Sequence, residues 1–383
     1  MARDRACKAF FRGFVGGVRA MGFAIRMRVG KASECSHYTR IWRPVGKPLR
    51  RHMDAQPGAE LTMSVARIVS ALQFCPDLCA PRSREPGPSL QSRGFNALLA
   101  LLPYKQQLAS AEAVQAHVQK LALQPASFEP PNLGRDVEVT LTKMGGWPVY
   151  YTAPASGHEG CNFVMFLHGG GYINEIVPAH WRLIGQMTRK ANVVCVVPIY
   201  PLAPRATAKD VVPATAELLR MLLEDAGSAK VTVAGNSAGA GLALAACQWL
   251  RDRGHRQPDQ MMLISPAADA SVSRPEQIEI AKRDPIQDIP GIVEAGRLYA
   301  GELDIGHPFV SPLNGAFRAL APMTIFAGTR DLLYPDSVDL AERARAVGVP
   351  VELHLLRDQP HNYALMPTPE GRKARTLIMR AVA

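Results

Sequence analysis

From Asp136 to the C-terminus, short apolar runs alternate with amphipathic ones. DVEVTLTKM (136–144) and WPVYYTAP (147–154) switch between polar and apolar at period two and predict an antiparallel pair. CNFVMFLH (161–168) and NVVCVVPIY (192–200) are continuously apolar, the pattern of strands buried on both faces. Helical spacing fills 178–190, about 207–225 and 238–252, with a strand over Val231, Val233 and Ala234 between the last two. QMMLISPAAD (260–269), APMTIFAGTRD (321–331) and VELHLLRD (351–358) supply three more strands, with helices at about 336–347 and from Pro369. Strands alternating with helices predict an α/β fold, a mostly parallel central sheet covered by helices on both faces.

Two segments break this rhythm. Residues 270–308 are polar and rich in Ile, Pro and Asp, with one helical piece around Gly291 to Tyr299. Upstream, FNALLALLPYKQQL (95–108) and SAEAVQAHVQKLAL (110–123) predict two amphipathic helices broken near Pro103. They follow a Pro- and Ser-rich stretch, Gln73 to Ser92, that reads as linker. The chain divides into a basic extension (1–52), a linker with helical arm (53–130) and a catalytic domain (131–383) with an insertion at about 270–308.

Charge changes this picture only at the start. The formal net charge is +11, and residues 1–52 account for all of it, with thirteen Lys and Arg against Asp4 and Glu34. The remainder is neutral, which argues against a nucleic-acid partner. Phe10, Phe14 and Val18, with Arg12, Arg19 and Arg26, leave three readings of the extension: a membrane-surface helix, a transit peptide, or a segment without a role. Its glycines weaken a helix, and Met53 opens a neutral sequence. The favoured reading is a dispensable extension created by an early start codon.

No apolar run approaches the ~18 residues of a membrane span; the longest candidate is Phe95 to Leu102, so no stable membrane insertion is expected. The seven cysteines show no framework spacing. Cys195 and Cys247 lie inside apolar runs as buried thiols, and Cys75 and Cys79 lack a partner pair for a metal. No metal and no cofactor are expected, and the location expected is cytoplasmic.

Candidate chemistry gathers at predicted strand ends. Gly235-Asn236-Ser237-Ala238-Gly239 follows an apolar strand and opens a small-residue helix, the setting that exposes a nucleophilic serine on a strained turn. His168-Gly169-Gly170-Gly171-Tyr172, Asp331 and His361 each follow another strand. In a parallel sheet those ends share one edge, and the order Ser, Asp, His suits the sheet. His361 is the expected base, Asp331 its orienting acid, and the amides of Gly169, Gly170 and Ala238 the oxyanion donors. Bland readings stand beside these. Either Asp331 or Asp336 could cap the helix that follows, Asp336 being the better candidate. His354 sits within its strand, and His307 and His255 lie outside strand ends. The glycine run could be a plain loop, or a phosphate cradle, though no Lys-Ser/Thr follows it.

HGGGY (168–172), GNSAG (235–239), YPLAP (200–204), HPFVSPLNG (307–315), GTRDLL (328–333) and PHNYAL (360–365) together resemble the hormone-sensitive-lipase-like branch of the α/β-hydrolases, over about 90–383. The resemblance implies a carboxylesterase or lipase whose cap combines the N-terminal helices with the insertion, here about 90–130 and 270–308. Its partner would be a small-molecule acyl ester of short to medium chain; the oligomeric state is left open. Asn236 stands where the family more often has Asp. A receptor that binds a small molecule without catalysis uses the same fold but lacks the histidine, which is present here as His361. Amide hydrolysis or acyl transfer would use the same residues.

Overall fold

The computed structural model describes residues 87–383. The expectations for residues 1–52, for Cys75 and Cys79 and for the linker up to residue 86 lie outside the described residues.

Eight strands form one sheet: β1 (Val137–Met144), β2 (Trp147–Pro154), β3 (Phe163–Leu167), β4 (Val194–Pro198), β5 (Val231–Asn236), β6 (Gln260–Ile264), β7 (Met323–Gly328) and β8 (Val351–Leu356). Their spatial order is β1-β2-β4-β3-β5-β6-β7-β8, with β1–β2 and β2–β4 antiparallel and all other pairs parallel. Parallel neighbours need crossovers, supplied by α4 (Pro178–Ala191), α5 (Ala208–Asp225), α6 (Ala238–Asp252) and α9 (Tyr334–Ala346). The β3-to-β4 crossover runs opposite to the others, which places α4 on the other face of the sheet. There, with α10 (Pro369–Val382), it buries Trp181, Ile184, Met187 and Ile378 against Val164, Phe166, Cys195 and Val197. Each such side chain contributes roughly 1.5–3 kcal/mol of apolar burial.

Before the sheet comes a helical arm, α1 (Leu90–Ala100), α2 (Tyr104–Gln107) and α3 (Ala111–Ala122). The linker expected to reach Ser92 ends sooner. Ser89 caps α1 by accepting from the Ser92 amide (3.1 Å), and the Glu370 carboxylate accepts from its amide (2.6 Å) and hydroxyl (3.0 Å). A local pattern of Pro and Ser could not reveal a partner 281 residues away.

The insertion holds two helices, α7 (Pro275–Ala281) and α8 (Ile289–Ala300), where the sequence predicts one. α7 starts on Pro275, suited to a first helical position, but spans only 7 residues, too few to show a period. Arg274, its N-cap residue, donates from Nε to Asp336 (2.8 Å) and also pairs with Asp339. Asp336 is therefore not the helix cap that the sequence suggests. It lies fully buried inside α9 and takes the Arg274 guanidinium, while Gln277 Nε2 donates to its other oxygen at 3.2 Å.

Arm and insertion meet each other. Gln115 on α3 donates to Glu294 on α8 (2.8 Å), and Gly291 packs so closely on Leu108 that a Cβ would strike its backbone. Among the described residues no helix is long and apolar enough to cross a membrane.

Candidate active site

Register decides which loops converge. Leu167 pairs with Gly235, Asn236 with Ile264, Ile264 with Phe326 and Gly328 with Leu356, so the ends of β3, β5, β6, β7 and β8 lie side by side. Ser237 follows β5 directly with φ 52° and ψ −123°, a left-handed-side conformation that costs a serine on the order of 1–3 kcal/mol. The turn is locked from every side. The Ser237 amide donates to Ile264 O (2.8 Å), and its carbonyl accepts from Ala240, Gly241 and Ala267. Gly235 and Gly239 are obligatory for lack of space: a Cβ on Gly239 would meet the Leu167 and His168 carbonyls, and one on Gly235 the Gly239 backbone. Thus the elbow seats directly on the end of β3.

His361 Nε2 lies 2.9 Å from Ser237 Oγ, and His361 Nδ1 lies 3.0 Å from Asp331 Oδ2. The other Asp331 oxygen accepts from the Leu333 amide at 2.9 Å, which fixes the carboxylate at the turn into α9. All three residues are buried, with Ser237 and His361 retaining slight exposure. Burial alone would lower the basicity of His361. The Asp331 carboxylate beside it, joined by that of Asp284, outweighs burial and leaves the imidazole above its ordinary value.

The other histidines are placed differently. His354 stays within β8, stacked on Phe326 (4.6 Å) and 3.0 Å from Glu352. His307 accepts the Phe309 amide within its own turn, and His255 stacks on Trp249. Burial holds His168 down to about 4, so it is neutral at ordinary pH. It stacks on Tyr200, whose hydroxyl donates to the His168 carbonyl at 2.6 Å and fixes the start of the glycine run.

The glycine run departs from expectation in one atom. The Gly169 amide donates to Asn236 Oδ1 (2.9 Å), so it is engaged and not free to meet an oxyanion. The amides of Gly170, Gly171 and Ala238 donate to no other described residue. Gly170 and Gly171 have φ of 131° and 62°, backbone that a side chain would strain. Asn174 brackets this loop from below, its amide (2.9 Å) and side chain (3.0 Å) both donating to the Gly170 carbonyl. His117, from α3, lies 2.7 Å from Asn174 Oδ1 and ties the arm to the same loop. Tyr172, at φ 62°, is buried against Tyr299 of α8, the rings stacked at 3.7 Å.

Asn236, which stands where the family more often has Asp, thus joins the elbow to the glycine loop. Sequence reasoning missed Asn174 and His117, and it missed the buried pair Asp284 and Gln287 behind Asp331. Each also makes a contact distant in the chain. The only sequence signal is a run of polar residues, RDPIQD, between the two helices of the insertion.

Comparison with known proteins agrees with this architecture. Residues 164–365 match the family model of the α/β hydrolase fold. A triacylglycerol lipase of Mycobacterium tuberculosis is 32% identical over 240 residues, 62% of this chain and 49% of the lipase. The chain thus spans about half the length of that relative. An acetyl-hydrolase of Streptomyces hygroscopicus is 31% identical over 55% of this chain and 72% of its own. Among solved structures, the hormone-sensitive-lipase homologue EstE7 from a metagenome library is 30% identical, with a TM-score of 0.64 over 76% of this chain and 97% of that one. The chain belongs to the α/β hydrolase fold family, on its hormone-sensitive-lipase-like side.

Proposed function

We propose that this chain is a serine hydrolase of carboxylic esters. The observation that carries the reading is the unbroken line Ser237 Oγ, His361, Asp331 at 2.9 and 3.0 Å, on loops fixed by sheet register. Esterase, lipase and acetyl-hydrolase names among its relatives support it. Ser237 Oγ attacks the acyl carbon while His361 Nε2 takes its proton, and Asp331 stabilises the imidazolium. The amides of Gly170, Gly171 and Ala238 receive the oxyanion, and the N-terminus of α6 favours the same charge. His361 then returns the proton to the departing alcohol, and water, deprotonated by the same imidazole, releases the acid from the acyl-enzyme.

The arm and the insertion form the cap over this edge, held together by Gln115–Glu294 and tied to the oxyanion loop through His117 and Asn174. Both segments are short and only moderately apolar, which favours short to medium acyl chains. A cytoplasmic location belongs to the same proposal, supported by the buried free thiols of Cys161, Cys195 and Cys247.

A panel of p-nitrophenyl esters graded from two to sixteen carbons tests both parts. Activity is expected on the shorter members and is lost in Ser237→Ala, which keeps its melting temperature. Full activity in that variant would overturn the nucleophile, and a maximum on the longest chain would overturn the proposed cap size.

A further inference from the structure

Asp284 lies in the turn between α7 and α8 and is only 2% exposed. One carboxylate oxygen accepts from the Ile286 (2.8 Å) and Gln287 (3.0 Å) amides. The other accepts from the Leu332 amide at 2.7 Å, the residue immediately after Asp331. Gln287, also buried, points its side-chain tip at two acceptors, Asp331 Oδ1 (3.0 Å) and Asp284 Oδ2 (3.3 Å), which assigns its nitrogen to that side. One amide group therefore bridges two buried carboxylates from segments 47 residues apart.

We propose that Asp284 is a positioning residue of the catalytic site, a second negative charge that the insertion sets behind Asp331, through Gln287, to favour the protonated form of His361. The proposal rests on the serine-hydrolase reading. Two charges face the Asp284 carboxylate, Asp331 and His361. The cations around the turn direct their donors elsewhere: Lys105 of α2 to the carbonyls of Ala281 and Asp284, and Arg330 to that of Arg283. Burial, then the Asp331 charge, push the Asp284 carboxyl up to about 6, so it is ionised where a base is needed. A buried carboxylate without a cation is costly to the fold. Its field is felt most when Ser237 passes its proton and positive charge appears on His361. The carboxylate closes the turn with both oxygens, and its charge acts on His361 in addition.

The test is the pH dependence of kcat/KM. In Asp284→Asn the acid limb, which reports His361, should move to lower pH by about half a unit to one unit, as expected for loss of one nearby negative charge. A purely structural residue would lower the melting temperature and leave the limb in place, and that result would overturn the proposal. Should Asp284→Asn fail to fold, Gln287→Leu decides: without the bridging donor the two carboxylates repel, Asp284 takes up a proton more readily, and the limb should again move to lower pH, by about a few tenths of a unit; an unmoved limb rejects the proposal. The same shift is to be read from the His361 imidazole by NMR in a Ser237→Ala background. A wild type without ester hydrolysis would defeat the serine-hydrolase reading, whereas the NMR shift would still judge Asp284.

Discussion

The strand-end loops and their cover are built by opposite means. At the sheet edge, position follows from backbone register: four parallel pairings bring Leu167, Gly235, Ile264, Phe326 and Leu356 into one row, and Ser237, Asp331 and His361, the proposed triad, stand one to five residues beyond the strand ends. In the arm and insertion, position follows from single polar contacts across long stretches of chain, such as Ser89 with Glu370 or Gln115 with Glu294. The edge tolerates almost no change of volume, because its glycines touch backbone. The cover has one such close approach, Gly291 on Leu108, while its polar contacts share partners, as Glu294 does between Gln115 and Arg297. Precision lies where the chemistry is, and adjustability lies over it.

The contrast is broken most severely at the edge. His361→Ala should reduce kcat by about 10⁴-fold or more. His354→Ala, within β8 and stacked on Phe326, should leave kcat within a few-fold while lowering the melting temperature. Equal losses of activity in the two, measured on one short ester, would show that strand-end placement does not select the base. Next in size is Gly239→Ala. Its one added methyl group must displace the Leu167 and His168 carbonyls, and a loss of about 3 kcal/mol or more is expected in a urea titration. A variant as stable as wild type would mean that the elbow does not rest on β3. The smallest effect belongs to the cover. Gln115→Leu removes the neutral donor to Glu294, which keeps Arg297 as a partner at 2.7 Å, so stability should fall by no more than about 1 kcal/mol. The change is expected mainly in KM for the longer esters; a loss of stability as large as that of Gly239→Ala would erase the distinction between the regions.

Legibility in the sequence divides along the same line. Period-two and continuous apolar runs mark all eight strands, and each polar motif directly after one marks the edge, so Ser237, Asp331 and His361 could be picked from the pattern. The fold class follows from the same alternation. What the pattern does not carry is the state of individual amides. Gly169 and Gly171 look alike in HGGGY, and only the Asn236 side chain, 67 residues away, separates an engaged donor from free ones. Asp336 invites a capping role until Arg274 is seen beside it, 62 residues distant. Asp284 and Gln287 show only as polar residues in RDPIQD, because what distinguishes them is a third residue on another strand's loop. Short helices such as α7 escape for a simpler reason, since a period cannot be read from two turns.

The placement of His361 has a consequence for synthesis. The nucleophile leaves the ribosome 124 residues before its base, and β8, the strand that carries the base to its place, pairs only with β7 at the far margin of the sheet. A nascent chain can complete the elbow, seat it on β3 and present a poised-looking serine, yet that serine has no proton acceptor until the final strand is added. On the proposed reading, hydrolytic capacity therefore appears only once β8 and the loop bearing His361 have been made, and a chain that stalls before them is chemically silent.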